Sequence, residues 1–199
     1  LNLEIPLVKE KMSLLLSGRT TYSDWIMKKL PEKSGYKNGN AGFYDLGATW
    51  SYTIDHLNKV NVYGYYSHDR FEFNENEKYA YSNLNASVNW RTILNEKVTA
   101  NLAAGYDHYD YMNDESTDAV AAARLKFAIN QVYAKVGFNH DLGNGHKLNY
   151  GLSTMLYDLQ PGIYEPLNDS STVARKELQT EKALESALYI GNQWEINSK

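Results

Sequence analysis

From Tyr44 to Ile54 the chain alternates between two kinds of residue. One parity carries Tyr44, Leu46, Ala48, Trp50, Tyr52 and Ile54; the other carries Asp45, Gly47, Thr49, Ser51 and Thr53. The split recurs from Asn83, with Leu84, Ala86, Val88 and Trp90 against Asn83, Asn85, Ser87, Asn89 and Arg91. Side chains of an extended strand point alternately to opposite faces, so each segment presents one uncharged apolar wall and one hydrophilic wall. The apolar wall must be kept from water. A soluble sandwich does this with a second sheet, a transmembrane barrel with lipid.

The connections favour the barrel. Strand patterns cover residues 12–26, 43–54, 60–73, 79–93, 98–112, 122–140, 147–158 and 182–196, and Leu1, Leu3 and Ile5 read as the tail of a preceding strand before a turn over 6–11. Tight links at 55–59, 94–97 and 141–146 alternate with wider, charged ones at 27–42, 74–78, 113–121 and 159–181, the 74–78 link standing out only by its charge. Gly143-Asn144-Gly145 is the strongest turn signal. Short turns on one side and longer loops on the other are the rhythm of a membrane-spanning barrel. The patterns also run to about 12 residues or more, beyond the roughly 5–6 of soluble strands and enough for the 9–11 of a tilted membrane strand. The expected fold is therefore all-β: an antiparallel up-and-down meander of about eight strands, forming part of a larger transmembrane barrel, with residues 1–199 as a single barrel segment. The absence of an initiator Met or signal peptide before Leu1 adds the expectation that the chain is an internal piece of a longer protein.

Composition agrees with this. Mean hydropathy is −0.57, and no apolar run approaches the roughly 18 residues of a membrane helix, but alternation cancels a barrel's hydropathy signal. Tyr (17) and Trp (4) against 4 Pro favour strands. Cysteine is absent, which excludes disulfides and thiolate metal sites, and a net charge of −4 gives no reason to expect nucleic acid. Aromatics on the apolar parity gather near the strand ends: Trp50, Tyr52, Trp90, Phe138 and Trp194 toward the tight turns, Tyr22, Tyr44, Tyr66 and Tyr106 toward the loops. Two interfacial belts are expected there, because an apolar ring with a polar tip suits the headgroup boundary.

The hydrophilic parity supplies the candidate lumen and ligand contacts: Arg19, Asp45, Asn61, Tyr63, Tyr65, Asn83, Asn85, Asn89, Arg91, Asn101, Asp107, Tyr133, Lys135, Asn149 and Tyr157. No catalytic site is expected. His68-Asp69 and Asp107-His108 are acid–histidine neighbours, but adjacent strand residues point apart and cannot converge on one proton. His56, His68, His108, His140 and His146 are scattered without ligand spacing, so neither a metal nor another cofactor is expected. The basic run Lys28, Lys29, Lys33 and Lys37 reads as a charged outer loop. Two other classes are compatible with strand content alone: a soluble carbohydrate-binding sandwich and a small closed barrel, structural or enzymatic.

Several stretches resemble the barrel of TonB-dependent outer-membrane receptors of the Bacteroidetes type, the SusC-like group and its relatives. They are Leu16-Ser17-Gly18-Arg19-Thr20-Thr21-Tyr22-Ser23-Asp24-Trp25, Ala41-Gly42-Phe43-Tyr44-Asp45, Tyr157-Asp158-Leu159-Gln160-Pro161-Gly162 leading to Glu165-Pro166-Leu167, and Glu181-Lys182-Ala183-Leu184-Glu185-Ser186-Ala187-Leu188-Tyr189. The resemblance implies a 22-stranded barrel around an N-terminal plug, of which this chain supplies about eight strands. It also implies nutrient uptake across the outer membrane, contact with outer-membrane lipid, coupling to the TonB complex through a plug outside this sequence, and a surface lipoprotein as a further partner.

Overall fold

In the computed structural model, residues 1–21, 23–31, 33, 39–74 and 76–196 are described. The strands are β1 (Asn2–Val8), β2 (Met12–Thr20), β3 (Asn40–Thr53), β4 (Asn58–Asn74), β5 (Glu77–Asn95), β6 (Val98–Glu115), β7 (Ala123–Gly143), β8 (His146–Pro166), β9 (Lys176–Glu177) and β10 (Glu181–Trp194), with one helical turn, α1 (Asp24–Met27), after β2. They form a single sheet in the order β1-β2-β3-β4-β5-β6-β7-β8-β10, with β9 against the upper part of β8. Every pairing is antiparallel and joins sequence neighbours, except that β10 pairs with β8 past the short β9, which itself pairs with β8.

The sheet is one layer thick and open: β1 and β10 each have one partner strand among the described residues. Its only buried apolar side chains, again among the described residues, are Ala100, Ala122 and Ala123. A sandwich hides its apolar face against a second sheet, and a small barrel closes its first strand on its last. The described residues do neither.

Turn chemistry sets the register. Asp55 accepts backbone N–H bonds from Leu57 and Asn58, each at 2.8 Å, and Asn95 does the same for Lys97 (2.9 Å) and Val98 (3.0 Å). Asp141 accepts from Gly143 at 2.8 Å, opening a turn in which Gly143, Asn144 and Gly145 all have positive φ. Side chains of Asp and Asn stabilise turns in this way, and glycine and asparagine tolerate the left-handed conformation.

Four expected boundaries are corrected. The 12–26 strand ends at Thr20; Thr21 N–H makes a last bond to the Phe43 carbonyl, then Ile26 and Met27 N–H both donate to the Ser23 carbonyl and start α1. The turn over 6–11 shrinks, because β1 continues through Pro6 to Val8; an edge strand tolerates proline. The 147–158 strand and 159–181 loop are redrawn, since β8 runs on to Pro166 and β9 lies inside the loop. Pro161 and Gly162 read as a stop, but they fall within a β-bulge, where the register shifts between the pairs Lys126↔Ile163 and Ala128↔Gln160. The 74–78 link is tight: β4 ends at Asn74 and β5 begins at Glu77.

Candidate functional site

Directly paired residues in an antiparallel sheet share a face, so the ladder assigns every side chain. One row links Leu14, Trp50, Val62, Val88, Ala104, Ala134 and Thr154; the next links Tyr52, Val60, Trp90, Leu102, Val136, Leu152 and Leu188. Leu46, Ala48, Leu84 and Val132 occupy the same face. On this face, among the described residues, the rows between the two sets of aromatics carry no charged residue.

The candidate contacts Arg19, Asp45, Tyr63, Tyr65, Asn83, Asn85, Asn89, Arg91, Asn101, Asp107, Tyr133, Lys135, Asn149 and Tyr157 all lie on the opposite face. Toward the loop end they are wired to one another. Arg19 Nε donates to Asp45 Oδ2 at 2.8 Å, and Asn83 donates to Ser67 Oγ at 3.2 Å. Asp107 is a hub: Asn85 donates to one carboxylate oxygen and Gln131 to the other, the latter at 2.7 Å. A shallow concavity of about 430 Å³ opens over Tyr65, Asn83, Asn85, Asp107, Tyr109 and Gln131. Lower down, Asn89, Asn101 and Asn149 have no side-chain hydrogen bond among the described residues.

The acid–histidine neighbours are split between faces. His68 Nδ1 is 3.0 Å from Ser82 Oγ and His108 Nδ1 is 2.7 Å from Asn130 Oδ1, both on the apolar face, whereas Asp107 points the other way. Among the described residues no group of three or more His, Asp or Glu side chains could hold a metal.

Aromatics on the apolar face form two rows. Toward the loops Tyr44 meets Tyr66 at 5.9 Å and His68 at 5.7 Å, and Tyr106 donates to Asn130 Oδ1 at 2.8 Å. Toward the turns Trp50 meets Tyr52 at 5.6 Å, Phe138 stacks on Tyr150 at 5.2 Å, Trp194 stacks on His146 at 5.3 Å, and Trp90 Nε1 donates to Asn58 at 3.1 Å. Tyr22 lies outside the described residues, as does Lys37 of the basic run.

The two rows descend together. From Tyr44 on β3 the loop-end row drops to Tyr66 on β4, level with Leu46, and to Tyr106 on β6, level with Ala48. The turn-end row runs from Tyr52, level with Trp90, to Phe138 and Tyr150 two positions lower, and to Trp194, paired with His146 four positions lower again. Both slopes come to about one residue per strand. Strands 4.8 Å apart and tilted 35–45° shift a horizontal line by about 1.0–1.4 residues per strand. The rows mark two parallel planes cutting obliquely across the strands.

Solved structures share this architecture. The copper transporter OprC matches 96% of the chain with a TM-score of 0.73 at 8% identity. The ferric preacinetobactin receptor BauA of Acinetobacter baumannii matches 96% at a TM-score of 0.65 and 9% identity. A G324V mutant of the ferric enterobactin receptor PfeA of Pseudomonas aeruginosa matches 99% at a TM-score of 0.65 and 15% identity. The chain shares the antiparallel fold of a stretch of each of these proteins. It spans about a third of each of those chains: 31%, 35% and 34% respectively. No protein-family model and no curated protein matches the sequence.

Beyond the loop-end row the wall continues as a hydrophilic extension held by ion pairs. Arg124 grips Asp114 with Nε to Oδ1 at 2.5 Å and Nη2 to Oδ2 at 2.6 Å, and Asp114 is buried. Lys126 bonds Glu165 and holds its carboxyl below the usual range, with Arg175 adding to the effect from 3.8 Å. Gln131, Asn139 and Gln193 on the hydrophilic face were not among the sequence candidates, although parity alone places them there.

Proposed function

We propose that this chain is a wall segment of a TonB-dependent outer-membrane receptor of the Bacteroidetes SusC-like type, a transporter that takes up a nutrient ligand. Residues 1–199 form one barrel segment, completed by strands beyond β1 and β10. The carrying observation is the pair of descending aromatic rows, which bound an uncharged face while the opposite face is polar. On this reading the uncharged face contacts outer-membrane lipid, the aromatic rows are its interfacial belts, and the hydrophilic face lines the lumen. On β7 the band from Asn130 to Phe138 then holds about nine residues, the length a tilted membrane strand needs. The Asp107 hub and the concavity above it are the ligand-facing part of the wall. Energy comes from the TonB complex through a plug, and a surface lipoprotein is a further partner. The wall does no chemistry of its own.

The test is made in the producing cell. The protein should fractionate with the outer membrane and require detergent for release. Import of its ligand should stop when the TonB complex is removed. Recovery in the soluble fraction, or uptake indifferent to TonB, would overturn the reading.

A further inference from the structure

On the hydrophilic face Asp107 is a carboxylate held only by neutral groups. Asn85 donates to one of its oxygens and Gln131 to the other. Among the described residues no Lys, Arg or His forms an ion pair with it. Lys135, the cation of this face on the neighbouring strand β7, pairs with Ala103, four residues closer to the turns than Asp107, and rests 5.5 Å over the Tyr189 ring. From β2 to β7 the loop half of the face sets Asp45, Asp69 and Asp107 against a single cation, Arg19, and Asp45 already holds that one.

Above the hub the same face turns aromatic. Tyr109 and Tyr111 follow Asp107 on β6. Phe127 on β7 lies 5.9 Å from the Tyr109 ring and stacks on Tyr111 at 4.7 Å, and Tyr81 on β5 pairs with Tyr111. All four rings are half-buried, so part of each stays open on a face that is otherwise amide and hydroxyl. The concavity of about 430 Å³ brings Tyr65 and Tyr109 to the same wall as Asp107. An aromatic face attracts a cation within about 6 Å of its centre, so rings and carboxylate select the same sign of charge.

We propose that the Asp107 hub and the rings beside it bind an organic ammonium ion carried on an aromatic body. The inference rests on the lumen reading above and names the ligand class of that concavity. An ionised carboxylate only accepts, so Asn85 and Gln131 must turn N–H groups toward it. Those two bonds fix the carboxylate in place but leave its charge unneutralised, and each oxygen keeps a lone pair for an ammonium N–H. A hard metal ion is a poorer match. Calcium takes roughly 6–8 oxygen ligands, and among the described residues no group of three or more His, Asp or Glu could hold a metal. The apolar body of the ligand lies against Tyr109 and Ile129, which line the concavity on the loop side of the hub.

Tyramine and tyrosol differ only in an ammonium group against a hydroxyl. Binding of each to the complete protein in neutral detergent is titrated at pH 7 by saturation-transfer NMR. Tyramine should bind about tenfold more tightly than tyrosol, the worth of one hydrogen bond between charged partners. Asp107→Asn should remove that preference and leave tyrosol binding unchanged, and Tyr109→Leu should weaken tyramine at least threefold. Absence of tyramine binding, equal binding of the two compounds, or a preference that survives Asp107→Asn overturns the proposal. Should Asp107→Asn fail to fold, the comparison in the native protein and an unaltered tyramine affinity in Tyr109→Leu still decide it. Labelling with a charged, membrane-impermeant maleimide in bilayers separates this from the underlying reading, since the chain has no cysteine of its own. If Val88→Cys reacts and Asn83→Cys does not, the assignment of faces itself has failed.

Discussion

At the scale of single residues, position along a strand decides what a side chain can be. Val88 and Asn85 are three residues apart on β5 and on opposite faces. On the proposed reading an arginine at Val88 places a charge in mid-bilayer and should cost roughly 2–4 kcal/mol. Asn85→Arg should be much milder, since the new guanidinium meets the Asp107 carboxylate. Urea titrations of refolding into lipid compare the two, and equal effects would mean that the faces are misassigned. Asp55 gives a pH-dependent counterpart in a turn. Its carboxyl is held below the usual range, first by the Leu57 N–H and then by Asn58. A depressed folded-state pKa stabilises the turn above the unfolded value, and that contribution is lost as pH falls through the folded value, below about pH 4. Amide exchange at Leu57 and Asn58 should therefore accelerate on acidification in the native protein and be fast at every pH in Asp55→Ala. Protection that is flat with pH in the native protein would remove the carboxylate from the turn. Facing was legible from the sequence because parity is a local property. Hydrogen-bond partners were not: that Gln131 and Asn85 share Asp107 depends on the register of three strands.

At the scale of elements, close contacts between strands explain some glycines. A Cβ on Gly105 would lie 2.6 Å from the Tyr133 ring, whereas one on Gly64 would meet nothing within 4 Å. Gly105→Val should destabilise the sheet and Gly64→Ala should be nearly silent. Tyr133→Ala should relieve the Gly105→Val defect, with a coupling of roughly 0.5–3 kcal/mol in a double-mutant cycle. Additive effects would show that ring and glycine do not support each other. Here the sequence was a partial guide. Hairpin order and the turn at Gly143-Asn144-Gly145 followed from turn chemistry, but β8 overran its expected end. Proline and glycine at 161–162 have the same composition in a bulge as in a loop. Only pairing with β7 separates the two, and pairing is non-local. The helical turn α1 was not anticipated, because the alternation of β2, which ends at Thr20, was carried on to Ile26.

At the scale of the whole molecule, the described residues form a sheet whose only buried apolar side chains are three alanines and whose two edges are open. Unpaired edges template further strand pairing. The uncharged face also exposes far more apolar surface than the few hundred Å² a soluble monomer tolerates: Leu184, Leu188 and Ile190 on β10 are 70%, 84% and 76% exposed. The chain expressed alone should need detergent or associate edge to edge in size-exclusion chromatography. A sharp monomer peak without detergent, with a cooperative melt, would point to a self-closed module instead. The common descent of the aromatic rows was not visible in the sequence, because it emerges only when strands are set in register. It turns a preference for membrane interfaces into two planes with a measurable slope. The most direct test of those planes is a spin-label scan of β5 from Asn83 to Arg91, in the complete protein reconstituted in bilayers. Collision with oxygen should peak at Leu84, Ala86, Val88 and Trp90, and collision with a polar nickel chelate at Asn83, Asn85, Ser87, Asn89 and Arg91. A scan without that two-residue alternation, or with the two sets exchanged, would contradict a wall with lipid on one side and water on the other.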